Sequence, residues 1–153
     1  MKILIDARLY GLENAGLGRY LINLIEELSL ADTKNNYVVL LRKKYFESLN
    51  LPQNWKKVLA DYRHYSFAEQ VKIPFIIKRE KPDITHFPHF NVPVFFRGKF
   101  VVTIHDMLMH KSAGLAATTL PAPVYLIKRV AYRIVFDNAV RNSAAIIVPT
   151  KTV

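Results

Sequence analysis

The chain has no cysteine, which excludes disulfide bonds, thiolate nucleophiles and thiolate metal ligands. No apolar run approaches the roughly 18 residues that a membrane-crossing helix needs. Acidic residues are few beside basic ones, 12 against 22, so the net charge is +10 and the favoured partners are anionic. Glycine is also scarce, five in all, and two of the five stand together at Gly16 and Gly18. No internal repeat and no low-complexity linker divides the sequence. Neither a basic leader nor a small-residue cleavage site precedes the first apolar stretch, so no secretory export is expected and the expected compartment is the cytoplasm.

What is present is a chain of 153 residues, 51% of them hydrophobic, enough for one domain with a packed core. Lys2 to Asp6 reads as a short apolar strand, and Gly16-Leu17-Gly18-Arg19-Tyr20 opens a helix running to about Leu28. Further strands are expected at Tyr37 to Leu41, Lys56 to Tyr62, Ile84 to His86, Lys99 to Ile104 and Ala145 to Val148. Ser66 caps a helix from Phe67 to about Lys81, which Pro74 should kink and Pro82-Asp83 should end. A last helix from Ala122 to about Asn142 carries the apolar positions Ile127, Val130, Ala131, Ile134 and Val135. Thr150 reads as an N-cap with no helix after it, as expected of one domain of a longer protein. Strands alternating with helices, and strands that are almost continuously apolar, predict an α/β fold. It is Rossmann-like and doubly wound, a mainly parallel sheet with helices on both faces.

Ligands of such sheets bind beyond the carboxyl ends of the strands. The sequence puts Asp6, Arg8 and the Gly16–Gly18 loop there, with His86 to Asn91 after the fourth strand and His105-Asp106 after the fifth. The glycine loop at a helix start offers backbone N–H groups and a partial positive charge to an anion, although a plain turn is the competing reading. A dinucleotide fingerprint fits poorly: Leu21 stands where the third glycine should be, and no acidic residue ends the second strand. His86-x-x-His89 with His105 and His110 is a weak zinc pattern, and histidines hydrogen-bonding at a cleft are the better account, so no metal is expected.

These residues, in order, resemble the N-terminal domain of retaining GT-B glycosyltransferases of family four, the glycogen-synthase-like and mannosyltransferase-like group. The likeness rests on Ile3-Leu4-Ile5-Asp6, Gly16-Leu17-Gly18-Arg19-Tyr20, Pro82-Asp83-Ile84-Thr85-His86, Thr103-Ile104-His105-Asp106 and Ile146-Ile147-Val148-Pro149-Thr150. It implies half of a GT-B architecture. The N-terminal domain binds the acceptor, while a C-terminal domain absent from these 153 residues grips the nucleotide-sugar donor. By the same resemblance, Gly16, Gly18 and Arg19 lie near the donor phosphates, and His105 meets the transferred sugar as the catalytic residue. Tyr10, His86, His89 and Asn91 line the acceptor side. The donor is a substrate, so no cofactor and no metal are implied. The acceptor is a glycan or a lipid-linked or lipopolysaccharide-type molecule, and the chain alone is expected to be inactive. One departure stands out: the family often has Gly-Gly where this chain has Ala15-Gly16, which is acceptable unless φ at Ala15 is positive.

Basic–aromatic segments such as Arg42-Lys43-Lys44-Tyr45-Phe46 and Tyr125-Leu126-Ile127-Lys128-Arg129 add an anionic membrane surface, at the inner face, as an expected partner. Nucleic acid is disfavoured, because the aromatics sit mostly in apolar runs rather than between basic residues on an open sheet face. The alternative function is a standalone, non-catalytic module binding an anionic ligand or membrane surface.

Overall fold

The structure, a computed structural model, describes residues 1–105 and 121–149. Asp106, His110, the small-residue stretch 112–119 and Thr150 lie outside the described residues. The elements are β1 (Lys2–Asp6), a 3-10 turn (Leu12–Asn14), α1 (Ala15–Ala31), β2 (Asn36–Leu41), the short α2 (Lys43–Phe46), β3 (Trp55–Leu59) and α3 (Phe67–Glu80). They continue with β4 (Ile84–Phe87), β5 (Phe100–Thr103), α4 (Ala122–Asn142) and β6 (Ala145–Ile147). The six strands form one sheet in the order β3-β2-β1-β4-β5-β6, and every neighbouring pair is parallel. This is the Rossmann-like α/β fold. The strand order reverses between β1 and β4, and a crevice opens at that point in doubly wound sheets.

Alternation along the strands explains the two layers. Leu4, Val38, Leu40, Phe87, Phe100 and Val102 face α3 and α4, where Ile73, Ile76, Ile77, Phe136 and Ala139 meet them. Ile5, Val39 and Leu41 face the other way, onto Leu21 and Ile25 of α1. Strands buried on both faces must be apolar at consecutive positions, as Val38 to Leu41 are.

Helix α3 begins as expected, with Ser66 Oγ accepting the Glu69 N–H at 3.1 Å, and it runs through Pro74. Lys81, in the left-handed conformation, ends it. Helix α4 spans the expected residues but docks differently. Ile127, Val130 and Ile134 are exposed. The helix is held instead by Phe136 and Ala139 and by an aromatic cluster in which Phe90 meets Tyr132 at 5.1 Å and Phe136 at 5.7 Å. Aromatic area and edge-to-face geometry outweigh a stripe of aliphatics that the layer below does not reach.

Ala15 has φ 50 and ψ −128. This is a conformation that glycine adopts freely and alanine does not, so the departure from Gly-Gly falls where the backbone resists it. Ala15→Gly is therefore expected to stabilise the fold by about 1 kcal/mol, as a shift of the urea midpoint at unchanged slope.

Candidate functional site

The carboxyl edge of the sheet between β1 and β4 is built around a buried ion cluster. Arg8 lies just past β1, and its side chain is fully buried. Its Nε and Nη2 donate to the two Asp6 oxygens at 2.8 and 2.6 Å, and Nη2 also donates to Glu69 Oε1 at 2.7 Å. Glu69 in turn accepts from Asn91 Nδ2 at 3.0 Å on each oxygen and from the Tyr65 N–H at 2.7 Å. Burial alone would raise the Asp6 carboxyl. The Arg8 charge and hydrogen bonds, with His64 adding to them, more than offset it and hold Asp6 below the ordinary carboxylate range. One strand end, one helix start and the loop after β4 are thus fastened by charge-assisted bonds.

Asp6 and Arg8 accordingly bind each other instead of standing free at the edge. A cavity of about 10 Å³, room for about one water, lies among Asp6, Leu17, His64, His89 and Asn91. Asn91 is 4% exposed, and its Oδ1 has no hydrogen-bond partner. His89 Nδ1 accepts the Asn91 N–H at 3.2 Å, and its ring rests on Phe90 with centroids 4.0 Å apart.

His86 sits one layer lower than expected. It is 7% exposed, and its Nε2 is bonded to Thr103 Oγ1 at 2.8 Å. The same hydroxyl meets Tyr20 Oη of α1 at 3.2 Å. His86 therefore supports the edge instead of lining it, tying β4 to β5 and through Thr103 to α1. Burial, then the nearby His105, pushes His86 down to about 4, with Asp6 opposing. His64 is also pushed down to about 4, by burial and then by the Arg8 charge. Both rings stay neutral in the fold at pH 7, while the unfolded chain takes up protons near pH 6.5. Folded values that are depressed give stability that is present above pH 6.5 and lost as pH falls toward 4. Acidification from pH 7.5 to 5.5 is expected to remove about 1.4 kcal/mol for each ring, and urea melts of His86→Gln should lose less over that range than wild type.

His105 is half-buried. Its Nε2 lies 3.0 Å from the Pro88 carbonyl, which can only accept, so Nε2 is the donor and Nδ1 is left facing away from that bond. Tyr20 packs edge-on against it at 4.7 Å. Helix α1 thereby reaches both cleft histidines, through Leu17 toward His89 and through Tyr20 toward His105.

The two glycines have different reasons. A Cβ on Gly18 would stand 1.8 Å from the Gly11 carbonyl oxygen, so the chain's own packing demands glycine there. Gly16 is exposed, and a Cβ on it would meet nothing within 4 Å. Glycine in a helix costs about 1 kcal/mol against alanine, and nothing inside the chain requires it at Gly16. No side chain caps α1 and its first turn holds no acidic residue; the Ala15 N–H donates to the Leu12 carbonyl of the preceding turn. Arg19 is exposed and makes no ion pair among the described residues.

Tyr10 is separated from His89 and Asn91. It lines a neighbouring groove of about 230 Å³ with Arg42, Lys44, Tyr45 and Asp61, its ring edge-on to Tyr45 at 5.2 Å. No group of three or more His, Asp or Glu side chains with metal-site geometry occurs among the described residues. No helix among them is long and apolar enough to cross a membrane. Sequence reasoning missed the Glu69 and His64 contributions. Ser66-x-x-Glu69 is a capping-box spacing that could have drawn attention to Glu69, whereas nothing local marks His64. No protein-family model and no curated protein matches the chain.

Proposed function

We propose that this domain is the acceptor-side wall of a retaining sugar transferase, with the start of α1 facing the diphosphate of a nucleotide-sugar donor. The observation that carries this reading is Gly16: an exposed glycine that the fold does not need, on a helix start without a side-chain cap, in the helix that also carries Arg19 and sets Tyr20 against His105. N–H groups fixed there would stabilise charge as it develops on the leaving diphosphate. His105, oriented by Pro88 and Tyr20, would hold a sugar hydroxyl through Nδ1, while His89 and Asn91 would border the acceptor over the Asp6–Arg8–Glu69 cluster. A second domain would grip the nucleotide, so this chain alone is expected to transfer no sugar. Its setting would be the cytoplasm or the inner membrane face, where +10 of charge favours anionic lipid.

The test is a titration of the ¹⁵N-labelled chain with inorganic pyrophosphate. Amide shifts are expected at Gly16 to Tyr20 and at His105, weakening as salt rises. Shifts that leave α1 untouched, or no shifts at all, would remove the donor-site reading.

A further inference from the structure

A second concave site lies at the opposite edge of the sheet, where β4 and β5 begin and α3 ends. The groove holds about 420 Å³, within the range that small-molecule sites occupy, roughly 300–1,000 Å³. Lys78, Lys81, Arg97 and Lys99 line it with Phe95, and Thr85 forms part of its wall. We propose that this groove binds a phosphate monoester carried on an acyl or aryl body, independently of the donor site at the other edge.

Charge is the first argument. Four cations converge on one groove, and none of them is ion-paired among the described residues. The acids nearest in sequence are engaged elsewhere. Glu80 pairs with Lys2 and Lys56, and Asp83 Oδ2 accepts the Lys2 N–H at 2.6 Å. Arg97 donates one N–H to the Val94 carbonyl at 3.1 Å and keeps its other donors.

Thr85 is the second argument. The residue is completely buried, and its Oγ1 has no hydrogen-bond partner. A buried hydroxyl without a partner is costly, and a phosphate oxygen entering the groove would relieve it.

The backbone supplies the third. Lys81 sits at φ 50 and ψ 55, the left-handed cap position that glycine favours, and yet it is a lysine facing the groove. Phe95 beside it is 62% exposed, an apolar wall suited to the body of the ligand rather than to its charge.

Dihexanoyl phosphatidate, dihexanoyl phosphatidylcholine and inorganic phosphate are each titrated into the ¹⁵N-labelled chain. Phosphatidate should shift amides of Ile77 to Thr85 and Phe95 to Phe100 saturably, and the zwitterionic lipid should not. Lys81→Gly relieves the left-handed strain, so this variant should melt at a higher temperature while binding about fivefold more weakly, which separates lost binding from lost folding. Thr85→Val, of nearly the same shape, should weaken binding about threefold without unfolding the chain. Inorganic phosphate matching phosphatidate would show that the body adds nothing and would overturn the proposal; inorganic phosphate binding more weakly, with phosphatidate vesicles leaving the protein free, would assign a soluble phosphate ester. Phosphatidate alone, with vesicles of phosphatidylcholine containing phosphatidate also capturing the protein, would assign a lipid source. Both assignments support the site. Equal shifts from phosphatidylcholine, no shifts in the two segments, or unchanged affinity in Lys81→Gly would overturn it.

Discussion

Replacing Arg8 by methionine is expected to cost about 3–5 kcal/mol, because it strips the cation from two buried carboxylates. Asp6 and Glu69 share Arg8 Nη2, at 2.6 and 2.7 Å, and their side chains are 5% and 0% exposed. Without the guanidinium they are like charges out of water, and at least one must bind a proton to stay inside. The variant should therefore show a pH signature that simple loss of packing lacks. Its carboxyl pKa values in the fold are raised above the unfolded ones, so it recovers stability on acidification. Wild-type Asp6 is depressed, so its contribution is present above the ordinary carboxylate pKa and lost as pH falls through the folded value. The gap between the two proteins should then narrow from pH 7.5 to pH 5, measured by urea unfolding at each pH. A gap under about 1 kcal/mol that does not change with pH would show that the cluster does not fasten this edge. The site should suffer with the fold, because Glu69 holds Asn91, and the Asn91 N–H is what His89 Nδ1 accepts.

The fold was readable in the sequence because its signals are local and repeated. Doubly buried strands show as unbroken apolar runs at Val38 to Leu41, and Ser66 announces its helix by a cap that the structure contains. The site was readable only as an edge. Sequence order places His86, His89 and His105 at strand ends, yet depth depends on partners far along the chain. His86 sinks because Thr103, 17 residues on, takes its Nε2. Asp6 and Arg8 look like ligand residues until Glu69, 61 residues beyond Arg8, closes the cluster. Tyr10 moves to another groove because Tyr45 packs against it. No propensity or spacing rule reports such pairings, since each is fixed by tertiary contact rather than by its own neighbourhood.

Gly18→Ala and Gly16→Ala should part company completely, although the two residues lie two apart in one helix. The Cβ of alanine at position 18 would stand 1.8 Å from the Gly11 carbonyl oxygen and 2.8 Å from its carbon. That carbonyl cannot easily retreat. It accepts the Asn14 N–H at 3.0 Å, and Gly11 itself, at φ 118, is crowded by the Tyr45 side chain. The clash is with backbone, so α1 must lift from the β1 loop, and a loss of about 3 kcal/mol is expected in urea melts. At position 16 the added methyl meets nothing of the chain, and the better helix former should raise stability by about 0.5–1 kcal/mol. The same methyl would stand over the first-turn N–H groups, so pyrophosphate binding should fall about tenfold in the more stable protein. A structural role for Gly16 requires stability and binding to fall together; opposite signs leave the anion as the reason for the glycine. Should Gly16→Ala bind pyrophosphate as wild type does, the start of α1 is a plain turn and the proposed anion site falls.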